Sequence, residues 1–145
     1  MRRARPDESV IVADLWLRSR KASIPSNPPS IHDDDDVRRH FSSEVLPNQE
    51  VWVVERPGLG IAALLVLHEG WVMDLHVDPE LTGRGLGSRL IDLAKQRQPD
   101  ALDLWTFQSN TGARRFYERH GFVAVGMTDG ENEEHEPDVH YRWRG

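Results

Sequence analysis

Three short stretches hold residues whose types and spacing suit chemistry. The first is Thr82-Gly83-Arg84-Gly85-Leu86-Gly87-Ser88, three alternating glycines at the start of a helical pattern. Glycine lets the backbone turn tightly and come close to a ligand. The free N–H groups of the helix's first turn then converge on one spot, with the positive end of the helix dipole behind them. Arg84 adds a flexible cation. Together these suit a phosphate or pyrophosphate. Two familiar phosphate patterns do not fit. A dinucleotide fingerprint wants a glycine three positions after Gly85, where Ser88 stands. A P-loop wants a glycine followed by lysine and a hydroxyl residue, and the chain has no such run.

The second stretch is Trp71–Val77, where Leu75 and Val77, joined by Met73, alternate with Asp74 and His76. A charged residue in the middle of a central strand is not buried unpaired, so Asp74 should face a cleft. The third is Asn110–His120, where Asn110, Ala113 and Tyr117 fall at i, i+3 and i+7 on one helix face. The small Ala113 between two polar residues lets a ligand lie close. Phe116 and Phe122 anchor the helix in the core, and His120 reads as a cation at its C-terminal end.

The elements that must position these residues follow from the pattern around them. Asp7 or Ser9 caps a first helix running through Ala13, Leu15 and Trp16. Ile24–Ile31 holds three prolines and is a loop. Acids at Asp33–Asp36 followed by Arg38, Arg39 and His40 match the helix dipole and predict a second helix over Asp34–Leu46. Val51–Glu55, Ile61–His68 and Trp71–Val77 form an antiparallel meander, separated by turns at Pro57–Gly60 and Glu69-Gly70. Asp78-Pro79 ends it. A helix follows over Gly85–Arg97, then a strand at Ala101–Phe107, the Asn110–His120 helix closed by Gly121, and two final strands, Phe122–Met127 and Val139–Trp143. A strand–helix–strand crossover needs a parallel pair. The expected fold is therefore α/β (α+β): one mixed, mostly antiparallel sheet of about six to seven strands, with about four helices on both faces.

Composition narrows the function. The 145 residues suit one domain, 1–145, with a proper core. Lysine plus arginine number 18 against 24 aspartates and glutamates, a net charge of −6, which argues against nucleic acid. The acids are concentrated in Asp33–Asp36 and in five residues between Glu131 and Asp138, while the middle of the chain is basic. The second run reads as a solvated loop, or as a rim that steers a cation. Zero cysteines exclude disulfides, thiolate catalysis and cysteine-bound metal. The seven histidines lack the spacing of a helical metal site, so no metal is expected. No stretch suits a signal peptide or a membrane span, which predicts a cytoplasmic protein.

Val77-Asp78-Pro79-Glu80, the Gly83–Gly87 turn, Asn110 and the Ala113…Phe116-Tyr117…Gly121-Phe122 pattern resemble the GNAT superfamily of N-acetyltransferases. The resemblance is strongest over Trp71–Val123 and implies acetyl-CoA as co-substrate. It implies that the backbone of Leu75, His76 and Val77 pairs with the pantetheine arm, as an added strand would. It implies that backbone N–H groups from Gly83 through Arg84, Gly85, Leu86 and Gly87 to Ser88 hold the pyrophosphate. Asn110 and Ala113 would then face the cofactor, and Tyr117 would protonate the departing coenzyme A thiolate. The family usually has glutamine or arginine where this chain has Thr82, and Arg84 compensates. Asp74 is the first candidate for base or amine anchor, and His76 the second. Trp16, Trp71 and Trp105 suit either an acceptor pocket or the core. The function implied is acetyl transfer to a primary amine, on a small molecule or a peptide, by direct attack in a ternary complex formed by a monomer or homodimer. The competing readings are a non-catalytic CoA-binding regulatory module and a protein-binding domain with an acidic recognition face.

Overall fold

A seven-stranded mixed sheet runs in the order β1-β2-β3-β4-β5-β7-β6. The computed structural model describes residues 1–24, 27, 28 and 30–145, so Pro25, Ser26 and Pro29 of the expected proline loop lie outside it. The strands are β1 (Arg2–Arg3), β2 (Glu50–Arg56), β3 (Gly60–His68), β4 (Trp71–Val77), β5 (Ala101–Phe107), β6 (Val123–Met127) and β7 (Asp138–Arg144). The helices are α1 (Ser9–Ala22), α2 (Asp34–His40), α3 (Leu86–Arg97) and α4 (Thr111–Arg119). The chain continues from α2 through a wider π-turn at Phe41–Val45 and a short turn at Leu46–Asn48. The mixed sheet with helices on both faces is the expected fold.

Local chemistry explains most of these boundaries. The Asp33 side chain accepts from the Asp36 N–H at 2.7 Å and caps α2, with acids in its first turn and Arg38, Arg39 and His40 in its last. At α1 the expected cap is replaced. Ser9 is already helical, and Glu8 occupies the cap position without a side-chain cap bond. The buried Glu8 carboxylate instead accepts from the Arg5 N–H and from Arg2, each at 2.8 Å. Those bonds hold β1, which pairs Arg2 with Val53 and Arg3 with Trp52. An Arg-Arg pair carries no strand signal, so this strand was illegible in the sequence.

The sheet has a core on each face. Under α3, Leu90 and Ile91 are fully buried against Leu65, Leu67, Leu102, Leu104 and Tyr141. Under α1 and α2, Val12, Leu15 and Phe41 meet Val53, Leu64 and Val66. Truncating one such leucine to alanine typically costs about 2–5 kcal/mol.

Two irregularities open the middle of the sheet. Adjacent residues Leu67 and Val66 of β3 face Val72 and Asp74 of β4, which leaves Met73 as an extra, unpaired residue. This β-bulge corrects the simple alternation expected for Trp71–Val77. Val72 joins the α3-side core, Met73 is exposed, and the Asp74/His76 face resumes after the interruption. A bulge bends its strand and increases local twist. The second irregularity is the parallel contact of β4 with β5, a single register pair between Trp71 and Asp103, with the Asp103 N–H donating to the Gly70 carbonyl at 3.0 Å. Beyond it the two strands part.

Candidate active site

The gap between β4 and β5 is a cavity of about 320 Å³. Residues 72–77 of β4 form one wall and residues 104–107 of β5 the other, with Ser19 and Arg20 of α1 above and Asn110, Ala113 and Tyr117 below. The β4 backbone facing the gap has no strand partner beyond Trp71 among the described residues. Of the residues singled out from sequence, Asp74, Leu75, His76, Val77, Thr82, Asn110, Ala113 and Tyr117 all line this one cavity. Gly83–Ser88 continue from Thr82 at the start of α3 and do not line it.

The glycine turn owes its shape to φ angles that L side chains rarely adopt. Gly83 and Gly85 sit at φ +78° and +81°, with Gly85 at the N-cap of α3. Gly87 serves packing: a Cβ there would lie 3.3 Å from the Phe116 ring, so its absence brings α3 close to α4. Arg84 is exposed on the turn. His120 departs from its expected role as a helix-end cation. Its Nε2 lies 3.0 Å from the Ser88 hydroxyl, and burial together with neighbouring Lys95 pushes its pKa down.

Asn110 caps α4, its Oδ1 accepting from the Ala113 N–H at 3.1 Å, while its amide donates to Asn27 Oδ1 at 3.1 Å. The Tyr117 ring is gripped by Phe116, Phe122 and Tyr141 at centroid distances of 5.2, 5.6 and 6.4 Å. Burial, and then the negative charge of Asp74, push the Tyr117 phenol well above its ordinary value of 10.0. Tyr117 therefore remains protonated at neutral pH. Beneath it lies a residue the sequence reading passed over. Tyr141 is fully buried, accepts from Arg114 Nε at 3.1 Å and donates to Glu118 Oε2 at 2.6 Å. Those two bonds fix α4 against β7. The signal for it was the inward phase of an alternating strand carrying a hydroxyl that needs partners.

Asp74 is held from α1. Its Oδ1 accepts from Trp16 Nε1 at 2.8 Å and stands 3.4 Å from His76 Nε2. The other His76 nitrogen, Nδ1, lies 2.9 Å from the Ser19 hydroxyl. Trp16 and Ser19 thus orient both candidate residues, and Oδ2 of Asp74 has no hydrogen-bond partner among the described residues.

A second cavity, of about 490 Å³, opens on the α1–α2 side. Trp16 and Phe41 give it aromatic walls, and Asp36, Asp74, Glu133 and Glu134 make it acidic. The β6–β7 loop closes over it through contacts of Glu133 with His32 at 3.1 Å and of Glu134 with Arg20 at 3.9 Å. Asp74 and Arg20 line both cavities. Trp105 lines the first cavity, while Trp71 lines neither and stacks on His140 at 5.0 Å. Among the described residues no group of three or more histidines, aspartates or glutamates is placed to hold a metal ion, and no helix is long and apolar enough to cross a membrane.

The family model of the acetyltransferase (GNAT) domain matches residues 47–124. The chain belongs to the GNAT family. An amino-acid acetyltransferase of Mycobacterium tuberculosis is 35% identical over 91 residues, which is 55% of this chain and 49% of that protein. The chain thus spans about half the length of that relative. The peptidyl-lysine N-acetyltransferase YiaC of Escherichia coli is 27% identical over 133 residues, 86% of this chain and 84% of the relative. In fold, the solution structure of apo YjaB from Escherichia coli superposes with a TM-score of 0.78, covering 99% of this chain and 96% of that one at 23% identity.

Proposed function

We propose that this GNAT-family protein is an N-acetyltransferase that moves the acetyl group of acetyl-CoA to a primary amine by direct attack in a ternary complex. One observation carries the reading: the cleft between β4 and β5 and the acidic cavity meet at Asp74. The first suits an extended pantetheine arm, whose amides pair with the free backbone of Leu75, His76 and Val77. The glycine turn suits its pyrophosphate, through N–H groups from Gly83 to Ser88 and the Arg84 cation. Thr82 lines the cleft and supplies a hydroxyl where the family pattern has a longer side chain.

Asp74 receives the acceptor as an ammonium ion on its free Oδ2 and takes up a proton as the amine nitrogen becomes nucleophilic. The nitrogen bonds to the thioester carbon and the carbon–sulfur bond breaks. Tyr117, kept protonated by its surroundings, gives its proton to the departing thiolate. His76, fixed by Ser19, is the alternative route for that first proton, and the second proton of the nitrogen, shed as the amide forms, restores the Tyr117 hydroxyl. The acidic walls of the outer cavity concentrate cationic acceptors there. With no cysteine in the chain, no thioester forms on the enzyme.

The test is coenzyme A release across a panel of amines, beside thermal melting with acetyl-CoA. Acetyl-CoA should raise the melting temperature through binding to the native state, and at least one amine should release coenzyme A in proportion to acetylated product. No thermal shift and no turnover would refute the proposal.

A further inference from the structure

Arg20 stands where the two cavities meet, and the mechanism above gives it no task. Its Nη2 is the one buried side-chain nitrogen or oxygen among the described residues without a hydrogen-bond partner. The side chain is only 13% exposed. Its Nε donates to the Pro28 carbonyl at 3.2 Å, and its guanidinium carbon lies 5.6 Å from the Trp16 ring and 5.4 Å from the Phe107 ring. These contacts fix the guanidinium plane. Glu134 balances its charge from 3.9 Å, too far for a hydrogen bond. A buried donor left unpaired costs free energy, and a ligand oxygen that meets it recovers that cost.

The partner must lie beside the amine that Asp74 receives, because Arg20 and Asp74 are the two residues shared by both cavities. We infer that Arg20 donates from Nη2, uncovered as the facing Glu134 gives way, to an oxygen next to the reacting amine, so that the acceptor is an α-amino carbonyl compound. Resting on the acetyl-transfer reading, this inference names the class of amine. Asp74 takes the ammonium, Arg20 takes the carbonyl or carboxylate oxygen, and the pair fixes the acceptor at two points. A plain alkylamine leaves Arg20 unpaired. A site built to hydrogen-bond a substrate oxygen discriminates strongly against the analogue lacking it. A free amino acid and a peptide N-terminus share this chemistry.

The experiment measures kcat/KM at saturating acetyl-CoA for alaninamide, alanine and sec-butylamine, in the wild type and in Arg20→Met and Arg20→Lys. The ratio of alaninamide, or of alanine, to sec-butylamine is taken within each preparation, so it does not depend on how much of a variant folds. The ratio should fall about tenfold or more in Arg20→Met and by less in Arg20→Lys, which keeps the charge but loses the planar fork. Preference for alaninamide identifies a peptide N-terminus as the source, and preference for alanine a free amino acid. A ratio unchanged by Arg20→Met overturns the inference. So does an effect confined to the KM of acetyl-CoA, which would assign Arg20 to the cofactor. Absence of turnover with every amine would instead overturn acetyl transfer itself.

Discussion

Replacing Tyr117 by phenylalanine removes one oxygen from a ring whose other contacts are apolar. No protein group among the described residues shares a hydrogen bond with that hydroxyl, while Phe116, Phe122 and Tyr141 hold the ring. Tyr117→Phe therefore breaks no bond of the fold, and its melting temperature should match or exceed that of the wild type. The ring still lines the cavity, so the KM for acetyl-CoA should hold. What disappears, on the proposed mechanism, is the proton delivered to the thiolate. A positioned general acid contributes about 10²-fold or more, so kcat should fall by at least that factor, equivalent to about 2.7 kcal/mol of barrier. The pH dependence sharpens the test. Burial and Asp74 lift the phenol above its ordinary 10.0, so it is protonated throughout the neutral range. The loss should be the same factor at every pH from about 6 to 9, measured as coenzyme A release with a fixed acceptor. An unchanged kcat would refute the assignment. A loss confined to high pH would point to a tyrosinate acting as base and refute the reasoning from burial.

Asp74→Asn should lower kcat/KM for the acceptor by about 10²-fold while leaving acetyl-CoA binding, read by thermal shift, intact. Trp16→Phe deletes the 2.8 Å bond to Asp74, and should lower acceptor kcat/KM about tenfold in the wild type yet have no further effect in Asp74→Asn, as a double-mutant cycle will show. Glu133→Gln with Glu134→Gln should raise the acceptor KM and weaken its salt dependence, whereas Glu136→Gln, which does not line the outer cavity, should not. Glu8 is held down to about 2 by Arg2 and the Arg5 N–H, against 4.5 when free, so its stabilisation is complete above about pH 4.5 and drains away as the pH falls toward 2. Glu8→Gln should flatten that acid limb in a melting series, and an unaltered limb would exclude Glu8 as its source.

The strands and helices around the site were legible because period-2 and period-3.6 patterns were clean there and glycine and proline marked their ends. The family motif brought Leu75, Asn110 and Tyr117 together before any coordinates did. The missed parts are contacts between segments distant in sequence. Nothing in residues 2 and 3 announces β1, whose pairing depends on a carboxylate at position 8 and a strand at position 53. The Met73 bulge is invisible because an alternating run reads equally well with or without an extra residue. From its type and position Trp16 suits a pocket or the core equally, and nothing in the sequence around Arg20 sets it apart from the other polar residues of α1. Their roles depend on Asp74, Phe107 and Glu134, between 58 and 114 positions further along the chain. His120 was misread because its helix-end position suggested a charge, whereas its burial beside Lys95 opposes one.

The bulge makes β4 one residue longer than its pairing with β3 requires. Deleting Met73 would keep Val72 opposite Leu67 and Asp74 opposite Val66, so every other side chain of the strand would keep its face. The bend would go, and with it the divergence from β5. The same helices and core would then enclose a sheet in which the cleft between β4 and β5 is closed. In this chain a single surplus residue, itself on the wall of the cleft, separates an open sheet from a closed one.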